Sequence, residues 1–147
     1  QRGVDPSRLV FAQRVPTEHH LARHRWANLF LDTFNFNAHS TACYSLWAGL
    51  PIITKKGEQF VARCASSFLN AIELPELITN TEKEYEDLAL ELATNKTLLS
   101  SITKKLADNR LSTPLFNTEQ YTKNLEVAYE KVYWSEPNFW ESSSKPQ

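Results

Sequence analysis

The segment Leu29–Thr54, LFLDTFNFNAHSTACYSLWAGLPIIT, constrains the fold more than any other stretch of the chain. It reads as a buried strand over Leu29–Thr33, a polar loop, a short helix over HSTACYSLWAG and a second apolar strand at PIIT. Gly49 stands where a helix closes through the left-handed conformation, and Pro51 stops its continuation. A strand, a helix and a strand joined this closely give parallel neighbours with the helix laid on the sheet, through a right-handed crossover.

The alternation extends in both directions. RLVFAQ (Arg8–Gln13) follows the turn residues Asp5, Pro6 and Ser7 and reads as a strand. TEHHLARHRWAN reads as a helix with Thr17 as N-cap and Glu18 at its positive end. GEQFVARCASSFLNAI reads as a further helix and PELIT (Pro75–Thr79) as a fourth strand. Thr81 and Glu84 make a capping box, opening a helix with Tyr85, Leu88, Ala89 and Leu92 on one face. LLSSITKKLADNRL is helical up to Asn109 and the Pro114 turn, and Asn117 with Gln120 caps YTKNLEVAYEKVYW. Trp26 and Trp47 read as core residues. The fold class is therefore α/β: a Rossmann-like parallel sheet with flanking helices, ending in an all-helical tail from about residue 97, with residues 135–147 as a flexible end.

Composition narrows the function classes. A hydrophobic share of 41% and a charged share of 22% belong to a globular chain. A net charge of −1 gives no global attraction to nucleic acid or anionic membrane, so any phosphate must be held by a local site. Cys43 and Cys64 form no metal or disulfide pattern and read as reduced cysteines of a cytoplasmic protein. No apolar run reaches the roughly 18 residues of a membrane span. The chain has no Met and opens on QRGVDPSRLVF, which reads as a piece of a longer protein, truncated at its N-terminus.

Ligands of an open parallel sheet bind at the carboxyl ends of its strands. Three connections leave those ends: Arg14–Glu18, Phe34–His39 and Lys55–Glu58. Between them they offer helix N-termini, the hydroxyls of Ser40 and Thr41, the imidazole of His39, and the charges of Arg14, Arg23, Lys55 and Lys56, a set suited to an anion. Spacing alone favours plain helix capping for Ser40 and Thr41 and a solvated turn for Lys55 and Lys56. Neither GxGxxG nor a Walker motif occurs. His20 and His24 lie four apart on a helix but lack a third ligand, so no metal is expected. A small anion-binding α/β domain of another kind would need an acidic cluster at the strand ends, and Asp32 stands alone.

The combination of VP with EHHLAR, LDT, NAHST with LWAGLP, GE with ARCASS, and PLFNT resembles the C-terminal end of the O-linked N-acetylglucosamine transferase family, including its Spindly-type members, from Gly3 to Trp134. The resemblance implies the C-terminal lobe of a GT-B glycosyltransferase that moves a sugar, usually from UDP-N-acetylglucosamine, to Ser or Thr of proteins, with inversion and without metal or cofactor. Residues 1–134 would be the nucleotide-sugar lobe. The resemblance further implies that the backbone at Val15 meets the uracil, that His20 stacks near the base with Arg23 beside it, and that Phe36 lies near the ribose. His39, Ser40 and Thr41 would hold the diphosphate. Thr17 stands where some relatives carry Lys, and Tyr44 where relatives usually carry the Asp that binds the ribose hydroxyls. No catalytic residue falls in this segment; the base belongs to the other lobe. The implied partners are a UDP-sugar, a protein acceptor, the upstream lobe and tetratricopeptide repeats, with no nucleic acid and no membrane. A binding or scaffold module of the same fold, with catalysis lost, is the alternative that Tyr44 raises.

Overall fold

The computed structural model describes residues 3–135, so nearly all of the stretch expected to form a flexible end lies outside the described residues. Three strands form a parallel sheet in the order β1 (Phe30–Leu31), β2 (Ile52–Lys55), β3 (Ile78–Thr79). Phe30 pairs with Ile52 and Leu31 with Ile53 on one side of β2; Thr54 pairs with Ile78 and Lys55 with Thr79 on the other. Ile52, Ile53 and Thr54 are fully buried, as expected of a strand covered on both faces.

The helix between β1 and β2 is α2 (Ser40–Trp47). Ala42, Ser45 and Leu46 face inward, at helical spacing. It closes by a Schellman motif: Gly49, at φ +85°, donates its N–H to the Leu46 carbonyl at 3.1 Å, and the Leu50 N–H bonds the Ser45 carbonyl at 2.9 Å. α3 (Cys64–Ala71) contributes Ala65 and Leu69 to the same core, α4 (Glu82–Thr94) contributes Tyr85 and Leu92, and α5 (Lys96–Asn109) contributes Ile102 and Leu106.

The capping box holds with a shift: Thr81 accepts from the Glu84 N–H at 3.1 Å, while the Glu84 carboxylate accepts from the N–H of Asn80, one residue before the cap, at 2.8 Å. Asn95 caps α5 and Asn117 caps α6 (Thr118–Ser135), which buries no residue along its 18-residue length. No helix of the described residues is long and apolar enough to cross a membrane.

Several expectations are corrected. RLVFAQ is not a strand: beyond a 3-10 turn at Pro6–Arg8 it runs without regular structure, with Val10 89% and Phe11 88% exposed. An apolar run becomes a strand only against a partner, and no described segment pairs with it. LFLDT keeps two strand residues, because the Asp32 side chain turns to organise the following loop. PELIT begins as a 3-10 turn at Pro75–Leu77. The helix expected after Gly57 starts at Cys64, behind a 3-10 turn at Phe60–Ala62. That turn folds so close to Gly57 that a Cβ there would lie 2.6 Å from the Ala62 Cβ. Trp26 and Trp47 are not core residues; Trp26 is 85% exposed, and Trp47 packs at the surface against Phe116 and under the Arg110 guanidinium. Thr17 is the first residue of α1 (Thr17–Arg23) rather than its cap, with Pro16 before it.

Candidate functional site

The site begins with a buried carboxylate. Asp32 ends β1 at 4% exposure. Its Oδ1 accepts from the Thr33 N–H at 2.9 Å and the Ala38 N–H at 2.7 Å, and its Oδ2 from the Thr54 hydroxyl at 2.6 Å. The first two bonds curl the loop 33–38, and the third ties it to β2. The Tyr85 hydroxyl donates to the Asp32 carbonyl at 3.0 Å, fixing α4 to the same point. Burial first, and the neighbouring Asp32 charge second, push the Tyr85 phenol up to about 12. On the far side of the loop the Asn37 N–H bonds the Val61 carbonyl at 2.9 Å.

This loop delivers α2 to the surface. Phe36 stacks on His39, with ring centroids 4.8 Å apart. His39 is the residue before the helix and makes no side-chain cap; the first helical bond runs from the Cys43 N–H to its carbonyl at 3.2 Å. The N–H groups ahead of Cys43 therefore have no partner within the helix. Ser40 and Thr41 stand exposed beside them. The Cys43 thiol, half-buried in the helix, is pushed up by that burial and is a poor nucleophile.

Facing α2 is a wall built from the segment 12–23. The Arg23 guanidinium donates to the Gln13 carbonyl at 2.8 Å and to Nδ1 of His20 at 2.6 Å. A guanidinium only donates, so Nδ1 accepts and the neutral His20 ring carries its proton on Nε2. Burial, then the charges of Arg23 and His24, hold the His20 imidazole below its ordinary value, which keeps it neutral at physiological pH. His24 donates from Nδ1 to the His20 carbonyl at 2.7 Å and presents its ring edge-on to His20, 4.8 Å away. The Tyr44 ring approaches His20 from α2, edge-on at 6.0 Å.

The two walls enclose an open cleft of about 660 Å³, lined among others by Arg14, Val15, Thr17, His20, Arg23 and Tyr44. Five residues singled out in the sequence (Val15, Thr17, His20, Arg23 and Tyr44) thus meet in one hollow. Phe36 and His39 lie together in the loop, and His39 lines a second hollow of about 720 Å³ with Lys56, Arg63 and Cys64. Ser40 and Thr41 open α2, with Thr41 one turn before Tyr44. Lys55 is turned away: its ammonium lies over the Phe34 ring at 4.8 Å and 3.5 Å from a Glu82 carboxylate oxygen. A third hollow, about 790 Å³, is bordered by Leu29, Gly49 and Pro51 at the opposite ends of the strands, away from the carboxyl ends where ligands of such sheets bind.

The role of Asp32 as organiser of the loop and the place of Arg63 beside His39 were not apparent from the sequence. Only the position of Asp32 at a strand end hinted at the first. His20 and His24 gain no third partner: no cluster of three metal-capable side chains occurs among the described residues.

Residues 1–125 match the family model described as Glycosyl transferase family 41. The chain is 38% identical, over 99% of its length, to the probable UDP-N-acetylglucosamine--peptide N-acetylglucosaminyltransferase SEC of Arabidopsis thaliana, of which it covers 15%. It is 37% identical, over 86% of its length, to the UDP-N-acetylglucosamine--peptide N-acetylglucosaminyltransferase of Caenorhabditis elegans, of which it covers 11%. Among solved structures, a mutant of the Thermobaculum terrenum O-GlcNAc transferase superposes with a TM-score of 0.85 at 30% identity, over 90% of this chain and 25% of that one. On family match, identity and fold together, this chain belongs to glycosyl transferase family 41.

Proposed function

We propose that this chain is the donor-binding part of a protein O-glycosyltransferase that takes a UDP-sugar, UDP-N-acetylglucosamine as in the names of its relatives, and transfers the sugar with inversion to Ser or Thr of proteins. The observation that carries this reading is the cleft itself. A neutral imidazole, a phenol ring and two guanidiniums converge within it, and it adjoins the helix whose N-terminus is free. The rings suit a base. The unpaired N–H groups, the hydroxyls of Ser40 and Thr41 and the positive end of the α2 dipole suit a diphosphate.

The chemistry asks for little more from this part of the protein. As the acceptor hydroxyl attacks the anomeric carbon from the side opposite the diphosphate, the C1–O bond breaks and negative charge grows on the leaving oxygen. Fixed N–H groups and nearby cations stabilise that charge without a metal ion. Lys56 and Arg63, grouped with His39 around one hollow beside the start of α2, add to the positive field there. The base that accepts the hydroxyl proton, and the acceptor site, belong on this reading to the upstream lobe, so these 147 residues alone are expected to bind and not to turn over. The test is thermal unfolding of the full-length protein with UDP or UDP-N-acetylglucosamine. Saturation a hundredfold above the dissociation constant stabilises by about 2.7 kcal/mol. An unchanged melting temperature at millimolar nucleotide overturns the proposal.

A further inference from the structure

The cleft has an unusual charge inventory for a nucleotide site. Its described lining carries two guanidiniums, Arg14 and Arg23, the His20 imidazole, the Tyr44 phenol and the Thr17 hydroxyl; none of the described residues lining it is Asp or Glu. Doubly wound folds commonly read a ribose by a carboxylate that accepts its hydroxyl protons. Two carboxylates on the neighbouring elements are engaged or stand outside the lining: Asp32 is committed to Thr33, Ala38 and Thr54, and Glu18 stands exposed on α1. At the place where α2 enters the cleft stands Tyr44, 39% exposed, with its ring against His20 and its hydroxyl bonded to no described residue. A phenol offers a flat apolar face and one weak donor-acceptor group, and it cannot grip two adjacent hydroxyls as a carboxylate does.

We infer that this cleft recognises its nucleotide by ring packing against the His20–Tyr44 pair and by the charge of its phosphates, and does not read the ribose diol. Tyr44 is then the residue that sets this specificity. It serves as a wall for the base and sugar, where a carboxylate would serve as a hook. The inference rests on the nucleotide reading above and adds to it a class of ligand: 2′-deoxyribose nucleotides bind nearly as well as their ribose counterparts.

The experiment is isothermal titration of the full-length protein with UDP and with 2′-deoxy-UDP. A hydroxyl held by a carboxylate is worth about ten- to a hundredfold in affinity; here the ratio of the two dissociation constants is expected below about fivefold, and a preference for UDP above that overturns the inference. Tyr44→Phe is expected to leave the ratio unchanged, and Tyr44→Asp to raise it towards tenfold; a Tyr44→Phe variant that acquires or loses diol discrimination also counts against it. If neither nucleotide binds, the nucleotide reading itself falls and takes the inference with it. If UDP binds and 2′-deoxy-UDP binds far more weakly, the inference alone falls.

Discussion

The two walls of the cleft are built to different standards. On one side, α2 is locked into the core by Ala42 and Leu46, closed by a full Schellman motif, and led in by a loop held on the buried Asp32. On the other, Leu9–Arg23 buries no residue; it is held by the Arg23 bonds to Gln13 and His20 and by the packing of His20 against Tyr44 and His24. The two walls divide the labour. On the function proposed above, the firm wall would seat the diphosphate. The light wall, rich in exposed polar groups and poor in buried contacts, is the side able to adjust.

Breaking the firm wall should cost the most. Leu46→Ala removes a fully buried side chain from the α2 seam and is expected to lower stability by about 3 kcal/mol, read by denaturant unfolding. Asp32→Ala leaves the Ala38 and Thr33 N–H groups and the Thr54 hydroxyl without their acceptor; the expected loss is about 2–3 kcal/mol, together with weaker nucleotide binding, because the loop that places Ser40 relaxes. Retention of wild-type stability by Asp32→Ala would show that the loop is fixed by other means.

Breaking the light wall should spare the fold and strike the ligand. Arg23→Ala is expected to weaken UDP binding about tenfold while changing stability by less than about 1 kcal/mol, since both of its bonds are at the surface of the cleft. An equal loss of stability and affinity would erase the contrast between the walls.

Tyr85→Phe, behind the firm wall, removes one hydrogen bond to the Asp32 carbonyl and is expected to cost about 1 kcal/mol near neutral pH. Because the folded state holds the Tyr85 proton up to about 12, above its ordinary value of 10, the folded state binds more protons than the unfolded one between those values. Stability from this group is therefore complete below pH 10 and is lost as pH rises towards 12; the Phe variant should lack that alkaline loss.

The smallest effect is the pH response of the light wall. The His20 imidazole is held below its ordinary value of 6.5, so the unfolded state binds more protons just under that pH. Stability then falls as pH drops through that window and is regained above it. The shallow slope of melting temperature against pH should flatten in His20→Asn; a slope of the opposite sign would contradict the His20–Arg23 geometry.

Much of the firm half was legible from residues. Gly49 and Pro51 announced the end of α2, Thr81 and Glu84 the start of α4, and Tyr85, Leu88, Ala89 and Leu92 its inner face, because capping and helical periodicity are local properties of the chain. The light half was misread where the answer depended on a partner. Leu9–Gln13 has the apolar composition of a strand and lies unpaired, and Trp26 and Trp47 have the bulk of core residues and lie at the surface. Of the candidate site, the residue types were visible in the chain, and only the family resemblance grouped them. The sequence could place His39, Ser40 and Thr41 at a helix start, but not bring Arg14 and Arg23 from one segment against Tyr44 of another.

By itself, then, the sequence determined the parallel α/β alternation from Leu29 onward, the close of α2, the start of α4 and the family, since these follow from local caps, from alternating periodicity and from motifs in fixed succession. Only the tertiary structure decided that Asp32 is an internal acceptor and not a ligand group, that Lys55 turns from the cleft towards Glu82, and that the cleft lining among the described residues holds no carboxylate. Those outcomes depend on which distant segments come to share a surface, and no local pattern in the chain specifies that.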